Sequence, residues 1–513
     1  MAKAIEAQLD TLEAKGLIRL AASRPELEYL FRHWLVQDAA YGSLLKQERR
    51  ELHRLVGEAL EVLYPDRGSE LAGVLAIHFA EAGDTDKAVD YLIAAGQFAM
   101  DRNALAEAYS AFDRAASLLP PATDSEVEGP RRRRVEIELG RGRAGWTLRS
   151  ADDIIADLEA IVPTAERLGD LDLIAPIHLA VALARMQRGE RASDQEVKRS
   201  LDRIAEIGEA LHDPSLRALQ LAVIGLNQVF TGPIREGVTA LEGAVPFLEQ
   251  RQDFIGAAFA RGALAIGYAR LGEFDKAEKA AQYATELAAG GDVIAQLDAQ
   301  IAESVVRSER GQLDEAMPIA QACVMRAEET GATACVVVSS WVLGDIYQRQ
   351  GRLQEARRTL QRGNELALVV ERTMWRPTLQ AWLGTSATAL GDVAAGEGSW
   401  EEALTTARSI GNRFGEAGIL WKRAEAAAKR GRSGAALADF AASAAILEEL
   451  GVRPQLGRVL RGWGEALRAT ERTAEGDATL RRALALFEEM GIVHEAEAVR
   501  ATLAGKTAGS AAG

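Results

Sequence analysis

The chain is poor in the residues that lock a protein by disulfides or metals. It has two cysteines, Cys323 and Cys335, in 513 residues. That is too few for a disulfide framework and suits a reducing cytoplasm. The six histidines (His33, His53, His78, His178, His212 and His494) are scattered. No two stand four apart, the spacing that sets two imidazoles on one helix face around a metal. Aromatics make up 5% of the residues, β-branched weight is low, and Ala and Leu carry the apolar share. That balance favours helix over strand. Positive charge is in deficit too. A net charge of −15 lacks the basic footprint of a general nucleic-acid binder. No apolar run approaches the roughly 18 residues that a membrane helix needs. The opening MAKAIEAQLDTLEAKG is an amphipathic charged helix without the apolar centre of a signal peptide.

Catalytic motifs are equally scarce. No G-x-S-x-G elbow is present. The lone GKT, Gly505 to Thr507, has Arg500 where a P-loop requires glycine, and it lies in a small-residue tail. Cys323 and Cys335 fall near a helix–helix turn, where burial explains them better than chemistry. Arg131 to Arg134 form a basic run, which at a helix start is read as a solvated face before an anion contact. The sequence therefore assigns no catalytic residue, no cofactor and no metal ligand, and predicts a protein that is not an enzyme.

What is abundant is repetition. Gly272, Gly311, Gly351, Gly391 and Gly431 each sit in a short turn, at spacings of 39, 40, 40 and 40. The register extends upstream to Gly232 and downstream to Glu471, making seven units. Five residues after each turn comes a small residue: Gly237, Ala277, Ala316, Ala356, Gly396, Ala436 and Gly476. Seven before it lie Gly225, Ala265, Ser304, Gly344, Gly384, Ala424 and Gly464. Four past the small column stand Leu241, Ala281, Ala320, Leu360, Trp400, Phe440 and Leu480. A second glycine set, Gly291, Gly331, Gly411, Gly451 and Gly491, closes the hairpins.

Each column has a physical reason. Two antiparallel helices joined by a tight turn cross closely only where small side chains meet. The turn glycine takes the positive φ that ends the first helix. The residue one turn beyond the small column fills the space between hairpins.

These columns resemble the tetratricopeptide repeat. The nearest match is VLGDIYQRQGRLQEARRTLQRG, with Leu343, Gly344, Tyr347, Gly351, Ala356 and Leu360 on the family's positions. The 40-residue period is longer than the family's usual one and resembles the longer-helix variant of large bacterial signalling ATPases and transcription regulators. Degenerate units precede the regular ones around Gly83, from Asn103 to Pro120, and around Gly189.

The first 65 residues follow another grammar. A helix from Ala2 to Lys15 leads into two short alternating stretches, GLIRL and ELEYLF, around ASRPE, like a β-hairpin. Two helices follow. The order suggests part of a winged helix. This stretch resembles the segment that follows the nucleotide-binding module in bacterial STAND-type ATPases, especially those behind a class III adenylate/guanylate cyclase domain. Tyr29, Phe31, His33, Gln37, Ala40, Tyr41, Leu44, Leu45, Arg49, Arg50, Leu52 and His53 carry the match. The family's catalytic and nucleotide-binding parts would lie upstream of Met1, so its activity does not transfer to these residues.

Trp341 and Trp421 stand three residues before the small column, a position that lines the concave surface in tetratricopeptide arrays. Asp345 and Glu425 lie one helical turn further, with Gln348 beyond Asp345, and Arg461, Glu465 and Arg468 occupy the same face of the last unit. Such a groove suits a peptide or protein partner. The competing reading places both tryptophans in the core between repeats.

The expected architecture is all-α: a tetratricopeptide-like, right-handed superhelical solenoid with a small winged-helix-like module at the N-terminus. Its expected parts are the module at 1–65, degenerate repeats at 66–120, a loop at 121–134, degenerate hairpins at 135–212, regular repeats at 213–503, with a capping helix from Val493 to Leu503, and a disordered tail at 504–513. The expected function is a non-catalytic scaffold or sensor arm of a bacterial ATPase/cyclase-type regulator. It would bind a peptide or protein, the upstream domains among the candidates, and neither nucleic acid nor membrane. The alternative is the effector-sensing arm of a transcription regulator, against which the small-residue tail counts, because a helix-turn-helix would be expected there.

Overall fold

The computed structural model describes residues 2–22, 28–102, 104–120, 127–250, 254–289 and 293–505. Asn103, Gly291, most of the ASRPE turn and residues 506–513 of the expected tail lie outside them. The chain folds as two units, 1–98 with 110–123, and 99–109 with 124–513.

The N-terminal part opens with α1 (Ala2–Ala14) and an antiparallel hairpin of β1 (Ile18–Ala22) and β2 (Glu28–Phe31), with Ile18 opposite Phe31 and a bulge between Leu20 and Ala22. Helices α2 (Trp34–Ser43), α3 (Lys46–Leu63), α4 (Gly68–Ala82), α5 (Thr85–Asp101) and α6 (Leu105–Leu118) follow. The helix–hairpin–helix order is the one the sequence predicts. Leu75, Phe79 and Ala88 form one core cluster of the first unit, with Tyr91 stacked on Phe79, and Leu92 and Phe112 are buried as well. Gly57 lets α3 approach the Phe79 ring, where an added Cβ would sit 2.9 Å from it. Much apolar surface here stays exposed, Trp34 at 72% and Val62 at 79% among it.

In the second unit, α7 (Glu128–Ala144) already contains the four arginines of the basic run, so this helix starts inside the span expected as a loop. Then come α8 (Ala151–Leu168), α9 (Leu171–Arg188) and α10 (Gln195–Leu211). The regular hairpins follow as pairs: α11 (Pro214–Thr231) with α12 (Ile234–Gln250), α13 (Phe254–Leu271) with α14 (Phe274–Ala288), and α15 (Val293–Arg310) with α16 (Leu313–Glu329). They continue with α17 (Thr333–Arg349) and α18 (Leu353–Val369), α19 (Arg376–Ala389) and α20 (Val393–Ser409), and α21 (Arg413–Lys429) and α22 (Ser433–Leu450). The last pair is α23 (Arg453–Ala469) with α24 (Thr473–Glu489), and α25 (Val493–Leu503) covers its open face. One apolar core runs through the array from Ala218 to Val499. The architecture is an all-α repeat solenoid, in which each hairpin buries its apolar face on its neighbours.

The columns meet where sterics demand. A Cβ on Gly225 would lie 2.8 Å from the Gly237 carbonyl oxygen and 2.8 Å from Leu241. Gly464 faces the Gly476 carbonyl and Leu480 at 2.9 and 2.7 Å in the same way. The turn glycines Gly272, Gly311, Gly351, Gly391 and Gly431 have φ between 73° and 96°. One expectation fails: Gly232 has φ −169°, so its turn is extended there. Two glutamates take left-handed positions instead, Glu471 in the first set at φ 62° and Glu371 in the second at φ 51°. A non-glycine residue there costs roughly 1–2 kcal/mol. Glu371 offsets part of that with its side chain, which accepts the Asp152 backbone N–H of α8's first turn at 3.0 Å.

Gly225→Ala is expected to destabilise the array by about 1–3 kcal/mol through overpacking. Gly243→Ala, at a helix position with nothing within 4 Å, is expected to stabilise it by about 0.5–1 kcal/mol. Urea unfolding followed by circular dichroism checks both. Equal effects would contradict the crossing geometry.

Candidate functional site

The first helices of the hairpins line the inside of the second unit and meet across it. Arg270, Glu309 and Arg349 each stand two residues before a turn glycine, so the repeat brings all three to the same inner level. The ion-pair partners of Glu309 and Arg349 come from nearly four repeats away. Arg458 of α23 donates to Glu309 at 2.5 Å, to the Glu309 carbonyl at 2.8 Å and to Glu495 at 2.9 Å. Gln455 donates to Glu309, and Arg349 to Glu495 at 3.2 Å. The side chains of Arg458, Glu309 and Glu495 are 7%, 11% and 9% exposed. Burial alone would raise the Glu495 carboxyl, but Arg458 and Arg349 outweigh it and hold its pKa below the ordinary 4.5. Met490 and Ile492 close on Gly272 and Gly311 beside this cluster.

A tryptophan ladder lies next to the ion cluster. Trp341, Trp382 and Trp421 meet edge to face, with ring centroids 6.4 Å apart at each step. All three are buried. Lys422 lies 4.1 Å from the Trp421 ring centre and 3.8 Å from Asp345. Asp345 accepts the Trp382 indole N–H at 2.6 Å. Gln348 donates to the Trp382 carbonyl and to Ser386. Burial would raise the Asp345 carboxyl, but Lys422, Arg349 and the indole N–H together pull it below the usual range. The indole N–H groups of Trp341 and Trp421 have no acceptor among the described residues and border a void of about 30 Å³.

The predicted site residues thus fall into two groups. Trp341, Asp345, Gln348 and Trp421 belong to the interior ladder. Glu425, Arg461 and Arg468 are half-buried and reachable from solvent, and Glu465 is exposed. Protein on several sides nevertheless desolvates Glu465. That desolvation, with the Glu425 carboxylate nearby, raises its pKa despite Arg461, Lys429 and Arg468. Arg468 also donates to the Thr502 carbonyl at 2.7 Å, which ties the row to the capping helix.

Sequence reasoning missed several partners. Trp382 stands two residues before the small column, not three, although its spacings of 41 and 39 to its neighbours straddle the period. His53 and His78, 25 residues apart, share a contact of 3.0 Å between their Nδ1 atoms, and Tyr41 bonds His53 at 3.0 Å. Burial and the His53 charge lower the His78 pKa. Cys323 and Cys335 are both buried and unbridged. No group of three or more metal-type ligands occurs among the described residues. No helix there is long and apolar enough to cross a membrane.

No family model matches the chain. An uncharacterized protein of Rhizobium meliloti (strain 1021) is 31% identical over 121 residues, 23% of this chain. The match spans only 12% of that relative's length. Among solved structures, a Rap protein complexed with competence and sporulation factor aligns with 70% of this chain and 98% of its own, at TM-score 0.53 and 13% identity. The fold is tetratricopeptide-like. The Cut9–Hcn1 hetero-tetramer of APC/C aligns over 90% of this chain and 92% of its own, at 12% identity and TM-score 0.49. At 13% identity the likeness to the Rap protein is one of fold.

Arg458→Met would leave Glu309 and Glu495 buried without their main cation, and is expected to cost about 3–5 kcal/mol. Because the Glu495 pKa is lowered, its contribution is complete above the ordinary value of 4.5 and is lost as pH falls through the lowered one. Denaturant titration at pH 7 and pH 4 checks this. The wild type should weaken at the lower pH more than Glu495→Gln does. An Arg458→Met variant within about 1 kcal/mol of wild type at pH 7 would contradict the role given to the pair.

Proposed function

We propose that the chain is the non-catalytic interaction or sensor arm of a larger cytoplasmic bacterial regulator of the ATPase or cyclase type. It takes a peptide or protein partner against the charged row of Glu425, Arg461, Glu465 and Arg468. The observation that carries this reading is the solvent-reachable row itself, in which the exposed Glu465 stands among charges of both signs, Glu425, Lys429, Arg461 and Arg468. Such a row reads a partner by charge order. Trp341, Asp345, Gln348 and Trp421 serve the same site from beneath, by fixing how the inner helices lie.

Two further facts support it. The segment from Tyr29 to His53 resembles the part of STAND-type ATPases that leads into tetratricopeptide repeats. The fold is like that of a Rap protein solved with a bound factor.

Selection of displayed random peptides on the immobilised chain tests the reading. Peptides with alternating charge are expected to enrich. The double variant Glu425→Lys, Glu465→Lys, with unchanged circular dichroism, is expected to bind them about ten-fold or more weakly. No enrichment over bare matrix, or enrichment indifferent to the reversal, would sink the partner site. ATP binding measured by calorimetry would sink the non-catalytic part.

A further inference from the structure

The first unit carries a cluster of cations of its own. Lys46, Arg49, Arg50 and His53 follow one another on α3 at the spacing of a single helix face. The first three, with Tyr41 of α2 and Ala80 and Glu81 of α4, line a cleft of about 270 Å³. Packing holds the two arginines in place without neutralising them. Arg49 lies over the Tyr41 ring, 5.1 Å from its centre. Arg50 rests beside Gly83, the left-handed residue that ends α4, with its Nε 3.9 Å from where a Cβ would stand.

Tyr41 is fixed in turn. Its hydroxyl meets His53 Nε2 at 3.0 Å, and His53 Nδ1 meets His78 Nδ1 at 3.0 Å. When the His78 N–H donates to His53 and the His53 N–H donates to the phenol oxygen, the phenol proton is left for a further acceptor.

Charge sets this cleft apart. The chain as a whole carries −15, and nearby cations find acids. Arg54 of the same helix has Glu51 and Glu58, Arg67 has Glu70, and Lys87 has Glu61. Lys46, Arg49 and Arg50 form no ion pair among the described residues. Glu48 beside them is turned to the helix start, where it accepts the Leu45 N–H at 2.8 Å. Glu81 is the one acid that lines the cleft, so three cations against one carboxylate leave a surplus of two positive charges. The surplus stands at the N-terminal end of α3, where the helix dipole is already positive and cations are unfavourable. A bound dianion would offset both.

We propose that the cleft binds the phosphoryl group of a small phosphate ester, with Lys46, Arg49 and Arg50 on its oxygens and the Tyr41 hydroxyl as a further donor. A phosphate monoester carries about −1.5 to −2 charges at pH 7, which matches the surplus. Charged donors to phosphate oxygens make short, strong hydrogen bonds. The cleft is open to solvent, so it reads the phosphoryl end and leaves the rest of the ester outside. The inference does not rest on the interaction reading, because the charged row belongs to α21 and α23.

Calorimetry on the full chain with inorganic phosphate, methyl phosphate and acetate decides it. Both phosphates are expected to bind at least about ten-fold more tightly than acetate. Arg49→Gln is expected to weaken them by about ten-fold. Arg54→Gln removes the same charge from the same helix outside the cleft and is expected to stay within about two-fold of wild type. Glu81→Gln is expected to tighten phosphate by about three-fold, a gain that misfolding does not produce. If Arg49→Gln does not fold, the anion series and Glu81→Gln still decide. Co-sedimentation with phosphatidylcholine vesicles, with and without phosphatidic acid, separates the two sources of such a group. Capture by phosphatidic acid that inorganic phosphate reverses would place the ester on a lipid headgroup, and phosphate binding without capture would make it a free ester; both support the site. Acetate equal to phosphate, no phosphate binding at millimolar concentration, vesicle capture without phosphate binding, Arg54→Gln as damaging as Arg49→Gln, or Glu81→Gln no tighter than wild type would each overturn the proposal.

Discussion

The second unit depends on a buried cation shared by two carboxylates. Arg458 bonds Glu309 and Glu495 at once, with all three side chains almost wholly shielded from solvent. Left alone, each of these charges would oppose folding by several kcal/mol. Together they favour the one arrangement in which α23 and α25 lie against the end of α15. The apolar core runs between neighbouring hairpins, but it does not choose how far the array coils. The ion cluster does, because its members sit nearly four repeats apart and meet at one coil only. The tryptophan ladder and the Met490 and Ile492 contacts on Gly272 and Gly311 then fill what that coil brings together.

The same closure explains the other departures from plain repetition. Glu371 keeps a backbone conformation that glycine would adopt more cheaply, and its carboxylate ends on the first turn of α8. Met374 and Trp375, just beyond, bond the Gln187 backbone and side chain at 3.3 and 3.1 Å. The degenerate hairpins of α7 to α10 are thus stitched to the middle of the regular array. Their own cores are separate. What they lost in repeat register they exchanged for contacts with a distant turn.

How legible this was in the sequence follows from range. The glycine and small-residue columns could be read because both partners of each contact, such as Gly225 with Gly237 or Gly464 with Gly476, lie in one hairpin. The capping helix could be read because the last apolar face needed cover, and the N-terminal hairpin because alternation is local. Arg458 could not be matched to Glu309, since 149 residues separate them and no pattern on α23 names its partner. Trp382 escaped because it is one place off the column that Trp341 and Trp421 share. The register predicts a left-handed turn residue at Gly232, whose φ of −169° is not left-handed. For the partner-facing residues, the repeat pattern located the helix face. It could not divide the interior members, Trp341 and Trp421, from the reachable ones, Glu465 and Arg468, because that division depends on which hairpin comes round opposite.

A coil keyed in this way has a consequence for ancestry. Open repeat arrays lengthen and shorten by duplicating or dropping a unit, since each unit needs only its neighbours. Here the loss of one forty-residue unit between Glu309 and Arg458 would leave the guanidinium, with Glu495 beside it, a full hairpin short of Glu309, and a gain would carry both a hairpin past it. Either event would part Glu309 from its cation in an apolar interior. The number of hairpins in this stretch is therefore frozen, whereas the period within each hairpin is free to drift so long as the inner ends still meet.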